Sequence, residues 1–187
     1  MAALPSGAGR APGAARRVKL YLVGFMGAGK TTVGRLLGER LGCPFIDLDE
    51  RIEQQAGASV RELFELEGEV GFRRRERDQL DALRALPAAV VATGGGTVAQ
   101  PGARAAMADG LVVWLNPPFA TIAQRIGVFG KAERPLFRDE VQAMDLYRQR
   151  LDAYRSADLR FDTRADESAE ETTSRIELAL KQRGFQW

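Results

Sequence analysis

Residues 24–31 read Gly-Phe-Met-Gly-Ala-Gly-Lys-Thr, and this octapeptide constrains the fold more than any other part of the sequence. It follows an apolar run over 18–23 that is typical of a buried strand, and it precedes apolar residues at helical spacing over 33–41. A glycine-rich loop between a strand and a helix directs backbone N–H groups at one point, which suits a polyphosphate. The sequence therefore predicts a phosphate-binding loop, and the alternative is a glycine-rich turn that matches by accident.

Two side chains of this loop carry the predicted chemistry. We expect Lys30 to reach the β- and γ-phosphates of a nucleotide, and the hydroxyl of Thr31 to bind Mg²⁺. The residues predicted to contact the phosphates are Gly27, Ala28, Gly29, Lys30, Thr31 and Thr32.

Composition limits the function classes. The chain has 187 residues, of which 45% are hydrophobic and 28% charged, as in a soluble single domain. No apolar run approaches the roughly 20 residues of a membrane span, so we expect no membrane association. Histidine is absent, which excludes Ser-His-Asp triads, Cys-His nucleophiles and His-bound zinc. Proton transfer must therefore fall to a carboxylate, a lysine or a tyrosine.

The N-terminal segment differs from the rest of the chain. Residues 1–17 are rich in Ala, Gly and Pro, and we expect them to form a disordered extension, with a short transit peptide as the alternative. The remaining single domain, 18–187, has 24 basic and 25 acidic residues, which argues against a nucleic-acid surface. Cys43 is the only cysteine, so an internal disulfide is impossible and a cytoplasmic location is expected.

Strand and helix patterns alternate after the loop. Candidate strands lie at 18–23, 44–48, 88–93, 111–115 and 159–162. S-x-x-E capping boxes begin predicted helices at Ser59 and Ser168. Such alternation predicts an α/β fold of three layers, a parallel sheet with helices on both faces. Ligands bind beyond the carboxyl ends of the strands in such a sheet, and the residues there are the candidates considered next.

Two aspartates follow the second predicted strand. At the period of a strand, Asp47 and Asp49 point the same way, because Leu48 takes the opposite face. Beside a phosphate loop, one carboxylate can help to hold Mg²⁺ through water while the other orients a hydroxyl nucleophile. The alternative is a solvated strand end in which Asp49 caps the next helix.

Arg73 lies in a charge-rich stretch of a predicted helix and follows the apolar Phe72. An inward setting would allow a bidentate contact with a substrate carboxylate, which a lysine could not reproduce. A solvated helix face is the alternative.

Three consecutive glycines, Gly94, Gly95 and Gly96, end the third predicted strand. Their cost in backbone entropy favours a turn that lets a ligand approach the bare backbone, with a flexible turn as the alternative.

Further on, glycines and an Arg-Pro pair over about 127–138 are typical of a mobile lid that carries Arg134 onto phosphate, or of an exposed loop.

Together these motifs resemble those of the shikimate kinases, a family within the nucleoside-monophosphate-kinase-like branch of P-loop proteins. The resemblance covers about 18–180. It rests on the phosphate loop, Phe-Ile-Asp-Leu-Asp, Glu-Gly-Glu-Val-Gly-Phe-Arg, Ala-Thr-Gly-Gly-Gly-Thr-Val, Arg134-Pro135-Leu136, and Arg150 upstream of Tyr154.

The resemblance implies a five-stranded parallel sheet in the order 2-3-1-4-5. It also implies transfer of the ATP γ-phosphoryl group to the 3-hydroxyl of shikimate, within chorismate and aromatic amino acid biosynthesis, with Mg²⁺. Asp47 matches the acid that holds Mg²⁺ through water, and Asp49 matches the catalytic carboxylate. The substrate residues it implies are Asp49, Arg73, Gly94, Gly95, Gly96 and Arg150, with Glu76 orienting Arg73. Arg125 matches an adenine-stacking arginine, and Lys30 and Arg134 complete the catalytic set.

The sequence departs from the family pattern in two places. Arg150 is followed by Leu-Asp-Ala-Tyr where the family usually has x-Pro-Leu-Tyr, and the segment 155–159 is one residue shorter than expected. The adenine-contacting loop after Asp162 is therefore left unassigned.

Other functions remain as alternatives. A related kinase for gluconate or a nucleotide leaves the arginines and the triple glycine without a carboxylate to recognise in the same way. A nucleotide-gated binding module such as a GTPase switch is disfavoured, because Asn-Lys-x-Asp does not occur. We expect a monomer whose only partner is the small-molecule substrate.

Overall fold

The computed structural model describes residues 18–129 and 140–185. Five strands form one parallel sheet in the order β2-β3-β1-β4-β5, which confirms the predicted 2-3-1-4-5 topology. The strands are β1 (Lys19–Val23), β2 (Phe45–Asp47), β3 (Ala89–Ala92), β4 (Gly110–Asn116) and β5 (Leu159–Asp162).

Helices connect the strands and cover the sheet. They are α1 (Lys30–Leu41), α2 (Leu48–Ala56), α3 (Val60–Ala82), α4 (Ala103–Ala106), α5 (Phe119–Phe129), α6 (Glu140–Arg155) and α7 (Ala169–Gln182). Both predicted capping boxes are present, since Ser59 accepts from the backbone N–H of Glu62 and Ser168 from that of Glu171. These caps satisfy N–H groups that the first helical turn leaves without a partner.

Alternate residues of the central strands enter separate hydrophobic cores. Tyr21 and Val23 of β1 belong to one buried cluster, and Leu20 and Leu22 belong to the other. Because successive side chains of a strand point to opposite faces, each face of the sheet has its own core beneath helices. This confirms the three-layer arrangement and explains why residues 20–23 of β1 are all hydrophobic.

Helix α3 contains a break that the sequence analysis did not predict. Gly68 has φ 69° and ψ −177°, a conformation that only glycine adopts readily, and the helix continues beyond it. The second half of α3, residues 69–82, runs in a direction of its own and carries Arg73.

Part of the predicted lid is helical. Residues 127–129 complete α5, and the rest of the lid lies outside the described residues together with Arg134. The predicted N-terminal extension, 1–17, also lies outside them.

Among the described helices, none has the length and apolar character needed to cross a membrane.

Candidate active site

A cleft of about 480 Å³ opens at the carboxyl edge of the sheet. The phosphate loop, residues 24–31, forms one wall of it, directly after β1. Asp47 and Asp49 contribute from the end of β2 and the start of α2, and Thr93 and Gly95 contribute from the segment after β3. The sheet therefore collects residues that are distant in sequence at the position where α/β proteins bind ligands.

The phosphate loop has the compact form expected from its glycines. Gly24, Gly27 and Gly29 have φ values of 142°, 75° and 93°, which residues with a side chain rarely adopt. Helix α1 begins at Lys30, so its N-terminal N–H groups and the positive end of its dipole face the cleft. The predicted strand, loop and helix are confirmed.

Lysine and arginine side chains lie along this loop. Lys30 donates from Nζ to the carbonyl oxygens of Gly24 at 2.9 Å and Phe25 at 3.0 Å, which holds the ammonium group across the loop. Arg125, from α5, donates to the carbonyl of Gly27 at 3.3 Å and also lines the cleft. Both cations are therefore placed where a polyphosphate nucleotide would lie.

Asp47 joins the phosphate loop to α2. Its Oδ2 accepts from the Thr31 hydroxyl at 2.7 Å, and its Oδ1 accepts from the backbone N–H groups of Asp49 at 3.1 Å and Glu50 at 3.4 Å. Asp47 is thus the N-cap of α2, which begins at Leu48. The predicted strand geometry of Asp49 is wrong, because this residue stands in the first helical turn, although both aspartates line the cleft. Capping by Asp49, the alternative, is also wrong.

Thr31 and Asp47 offer hard oxygen atoms of the kind that Mg²⁺ prefers. In residues 18–129 and 140–185, no cluster of three or more His, Cys, Asp or Glu side chains could enclose a metal ion. This arrangement fits an ion held by a hydroxyl, by a carboxylate through water and by nucleotide phosphates, rather than by a closed protein cage.

Arg73 is buried, with 6% of its surface exposed, so the predicted inward setting is confirmed and the solvated-face alternative is wrong. Its Nη1 donates to Glu76 at 2.7 Å, while its Nε and Nη2 donate to Glu69 at 3.2 Å and 2.9 Å. Burial opposes the charged form of the guanidinium, but Glu76 and Glu69 outweigh this effect and raise its pKa. Arg73 therefore keeps its charge in an apolar setting.

A second buried arginine meets the first at Gly96. A Cβ atom on Gly96 would lie 2.5 Å from Nη2 of Arg73 and 2.9 Å from Nη2 of Arg150. Burial lowers the pKa of Arg150, and the positive charge of Arg73 acts in the same direction. Among the described residues, no carboxylate forms an ion pair with Arg150. We call this pair with Gly96 the arginine pocket.

Tyr154 fixes the helix that carries Arg150. Its hydroxyl donates to the carbonyl of Gly95 at 2.5 Å, and its ring stacks on Trp114 with centroids 5.7 Å apart. Burial raises the pKa of Tyr154 well above its ordinary value, so the hydroxyl stays protonated as a donor. The departure from the family pattern after Arg150 therefore leaves this tyrosine in contact with the glycines.

The three glycines are explained by close packing rather than by unusual backbone angles. None of the three has positive φ. A Cβ atom on Gly94 would lie 2.5 Å from Oε1 of Glu76 and 3.0 Å from Oδ1 of Asp49, and one on Gly95 would lie 3.1 Å from the Met26 nitrogen. The predicted cause was the approach of a ligand, and the structure shows that protein atoms already approach the backbone here. We call residues 94–96 the glycine turn.

The glycine turn connects the two halves of the site. Gly95 and Asp49 line the cleft beside the phosphate loop, and Gly96 lies against both guanidinium groups of the arginine pocket. Turn hydrogen bonds from Thr97 to Gly94 and from Ala99 to Gly96, each 3.2 Å, pair its backbone. These bonds and the close packing favour an ordered turn over a flexible one.

The family model for shikimate kinase matches residues 26–181. The chain belongs to the shikimate kinase family. A shikimate kinase from Synechococcus elongatus is 42% identical over 160 residues, covering 84% of this chain and 83% of the relative. One from Thiobacillus denitrificans is 43% identical over 153 residues, 79% of this chain and 82% of that protein.

Solved structures agree with this assignment. The shikimate kinase from Acinetobacter baumannii in complex with shikimate has a TM-score of 0.82 and 39% identity, covering 90% of this chain and 96% of that one. The Aquifex aeolicus shikimate kinase has a TM-score of 0.78 and 34% identity, over 89% and 98% of the two chains. The predicted family, fold class and kinase activity are thereby confirmed over the alternatives, and a kinase of this family uses ATP.

Several residues around this shikimate kinase site were missed by the sequence analysis. Glu69 and Thr97 contact Arg73 and Glu76, respectively, and the hydroxyl of Thr97 donates to Glu76. Glu167 lines the far end of the cleft, where it accepts from Thr172 at 2.9 Å and from Arg175 at 2.7 Å. Glu69 and Thr97 stand inside two of the motifs that carry the family resemblance, and this was the available signal for them. The loop after β5, which the sequence left unassigned, borders the cleft through Thr163 and Glu167.

Proposed function

We propose that this protein transfers the γ-phosphoryl group of ATP to the 3-hydroxyl of shikimate, giving 3-phosphoshikimate and ADP for aromatic amino acid biosynthesis. The observation that carries the proposal is the arginine pocket, which lies one peptide from the cleft beside the phosphate loop. The pocket supplies a binding site for a carboxylate, and the cleft supplies one for a nucleotide.

A planar carboxylate fits the arginine pocket for a physical reason. Two guanidinium groups meet at Gly96 in a buried setting, and like charges that are taken out of water repel one another. A carboxylate between them would offset this repulsion and accept paired N–H bonds from the planar groups. Gluconate also carries a carboxylate, whereas a nucleoside acceptor leaves the pocket without an anion.

The phosphate loop would hold the donor. Lys30, the α1 N-terminus and Arg134 would place positive charge around the phosphates, and Arg125 would contact the adenine side. Thr31 and Asp47, the latter through water, would hold Mg²⁺, which supplies neutralisation of the phosphate charge when bound.

Asp49 would orient the acceptor. It lines the cleft beside the glycine turn, between the phosphate loop and the arginine pocket. The hydroxyl oxygen forms the new P–O bond, the bond between the γ-phosphorus and the bridging oxygen breaks, and ADP keeps that electron pair. The transition state of phosphoryl transfer is loose, so the hydroxyl proton can leave late, towards Asp49 and then solvent.

The proposal is tested by measuring ADP release with Mg-ATP and a panel of shikimate, quinate, gluconate and nucleoside monophosphates. We expect turnover with shikimate far above turnover with the other acceptors. Preference for gluconate or a nucleotide would contradict the proposed acceptor while leaving the phosphate loop in its role.

The two aspartates give a matched test of the assigned roles. Asp49→Asn keeps the shape and removes the charge that orients the hydroxyl, so kcat should fall by at least about 100-fold. Calorimetry should show Mg-ATP binding within a few fold of wild type for Asp49→Asn. Asp47→Asn should instead raise the Mg²⁺ concentration needed for half-maximal activity. A nucleotide-binding defect confined to Asp49→Asn would mean that the two roles are exchanged.

We also propose that the enzyme acts as a monomer in the cytoplasm, with no nucleic-acid or membrane partner. The near-neutral charge of 18–187 and the single cysteine support this. Light scattering coupled to size-exclusion chromatography should give the mass of one chain. The mass of a dimer would contradict the proposed monomer.

A further inference from the structure

The side of the Arg73 guanidinium group that faces Gly96 already has an anionic partner. Glu69 accepts from both Nε and Nη2 of Arg73 through the same oxygen, Oε1. Nη2 is the same nitrogen that lies against Gly96, next to Arg150. The Glu69 carboxylate therefore occupies donors that the proposed substrate carboxylate would use.

The two carboxylates on Arg73 differ in their freedom to leave. Glu76 is 1% exposed, and it also accepts from the Thr97 hydroxyl, so its position is fixed by packing. The side chain of Glu69 is 52% exposed, compared with 8% for that of Arg73. Glu69 can rotate into water at little cost, whereas moving Glu76 would bury an unpaired charge.

Glu69 also acts on the second arginine. Burial lowers the pKa of Arg150 overall, while the negative charge of Glu69 acts in the opposite direction. The carboxylate thus lies within electrostatic reach of both guanidinium groups, as a ligand in the arginine pocket would.

The backbone break in α3 places Glu69 in this position. Gly68 interrupts the helix immediately before it, so Glu69 stands in the first turn of the second half of α3, where N–H groups favour a carboxylate. Arg73 follows one helical turn later, at the i, i+4 spacing that allows the pair to form.

We propose that Glu69 is a built-in competitor of the substrate: its carboxylate compensates the charge of Arg73 in the free enzyme and is displaced when the carboxylate of shikimate binds. This inference rests on the proposed function, in which Arg73 binds that carboxylate. The competition sets the affinity for shikimate. It also favours anionic acceptors, because a neutral ligand offers Arg73 nothing to replace Glu69.

The expected size of the effect follows from the exposure of the pair. A partly exposed ion pair favours its paired state by roughly fivefold, which leaves the competent state of the free enzyme a minor fraction of the population. Removing the competitor should therefore lower the KM for shikimate roughly three- to tenfold. The value of kcat should stay within about twofold, since Glu69 contacts none of the proposed reacting atoms.

The test compares Glu69→Ala and Glu69→Gln with a matched control, Glu65→Gln. Glu65 pairs with Arg61 four residues away in the same helix, and both side chains of that pair are exposed. We expect the KM for shikimate to be highest in the wild type, intermediate in Glu69→Gln and lowest in Glu69→Ala. The glutamine variant is intermediate because it keeps an acceptor oxygen but loses the charge. The control should match wild type, and the KM for ATP should not change in any variant.

An unchanged or raised KM for shikimate in Glu69→Ala would overturn the competition and would indicate that Glu69 only holds Arg73 in place. Circular dichroism shows whether the alanine variant folds, and Glu69→Gln, which preserves the shape, decides the question if it does not. Arg73→Lys is measured alongside. If that substitution leaves the shikimate KM unchanged, the carboxylate site itself is wrongly assigned; if it raises KM while both Glu69 variants match wild type, only the competition fails.

Discussion

The phosphate loop and the arginine pocket hold their charged side chains in different ways. At the loop, Lys30 and Thr31 are half-buried; Lys30 bonds to loop carbonyls and Thr31 to Asp47. The arginine pocket instead joins two buried cations from helices that are far apart in sequence. The loop is shaped by backbone conformation, and its charges remain near solvent. The pocket is shaped by packing, and its charges are removed from solvent. The first region is preorganised for any nucleoside triphosphate, while the second depends on an anion to offset repulsion.

This difference predicts which measured quantity each region controls. Charge next to the transferring phosphoryl group acts on the transition state, so changes in the loop should appear in kcat. Charge on a remote carboxylate binds substrate and transition state alike, so changes in the pocket should appear in the KM for shikimate. Three substitutions test this division, in descending order of expected effect.

Lys30→Ala should have the largest effect. Removing one preorganised cation or donor from a charge-developing site commonly lowers kcat by about 100- to 1,000-fold. Steady-state ADP release at saturating ATP, Mg²⁺ and shikimate measures it, with circular dichroism to verify the fold. Lys181→Ala is the control, since the side chain of that lysine is exposed and pairs with Glu177 of α7. Near-normal turnover of Lys30→Ala would show that the loop does not act on the transferred group.

Arg73→Lys should raise the KM for shikimate roughly ten- to a hundredfold, while the KM for ATP stays near its wild-type value. A lysine retains the charge but lacks the planar guanidinium group that donates to Glu76 and Glu69 and would donate to the substrate carboxylate. A charged hydrogen bond of this kind contributes about 1.5–3 kcal/mol. Initial rates against each substrate separate the two constants. An equal rise in both values of KM would mean that the two regions are not independent.

Tyr154→Phe should have the smallest effect on binding. It removes the hydroxyl that donates to Gly95 at 2.5 Å, so a half-buried carbonyl loses its partner and α6 is held less firmly. We expect a loss of about 1–3 kcal/mol in the free energy of unfolding and a rise of a few fold in the KM for shikimate. Urea unfolding and initial rates measure the two quantities.

Tyr147→Phe is the matched control, because the Tyr147 hydroxyl on the same helix donates to Asn116 at 2.8 Å, away from the glycine turn. It should lose stability without a change in the KM for shikimate. If both tyrosine variants raise that KM equally, the contact with Gly95 has no special part in placing Arg150.

Features that are encoded within a few residues were predictable from the sequence. The phosphate loop, both capping boxes and the strands of the sheet depend on local patterns, and the structure contains all of them. The geometry of Asp49 was wrong for a local reason as well. Asp47 caps α2, so β2 ends at Asp47, one residue before the end of the predicted strand 44–48. Two acidic residues, Asp49 and Glu50, are typical of a first helical turn and were the better sign that a helix begins here.

The arginine pocket could be predicted only as a set of residues. Its form depends on where α3 and α6 cross the glycine turn, and no spacing in the sequence encodes that crossing. The position of the Glu69–Arg73 pair beside the glycine turn also depends on the break at Gly68, since an uninterrupted helix would extend the direction set by the first half of α3. The reason for the three glycines was likewise hidden, because the atoms that crowd them come from four other parts of the chain.

The glycine turn has a consequence for redesign. Where a binding site is lined by side chains, its specificity can be altered in small steps by exchanging one residue for a similar one. At Gly94 and Gly96 the smallest possible step already places an atom within 2.5 Å of Glu76 or Arg73. The centre of this site therefore offers no gradual route to a new acceptor. A directed-evolution library aimed at other hydroxy acids should leave these positions fixed and vary the periphery, beginning with Glu69.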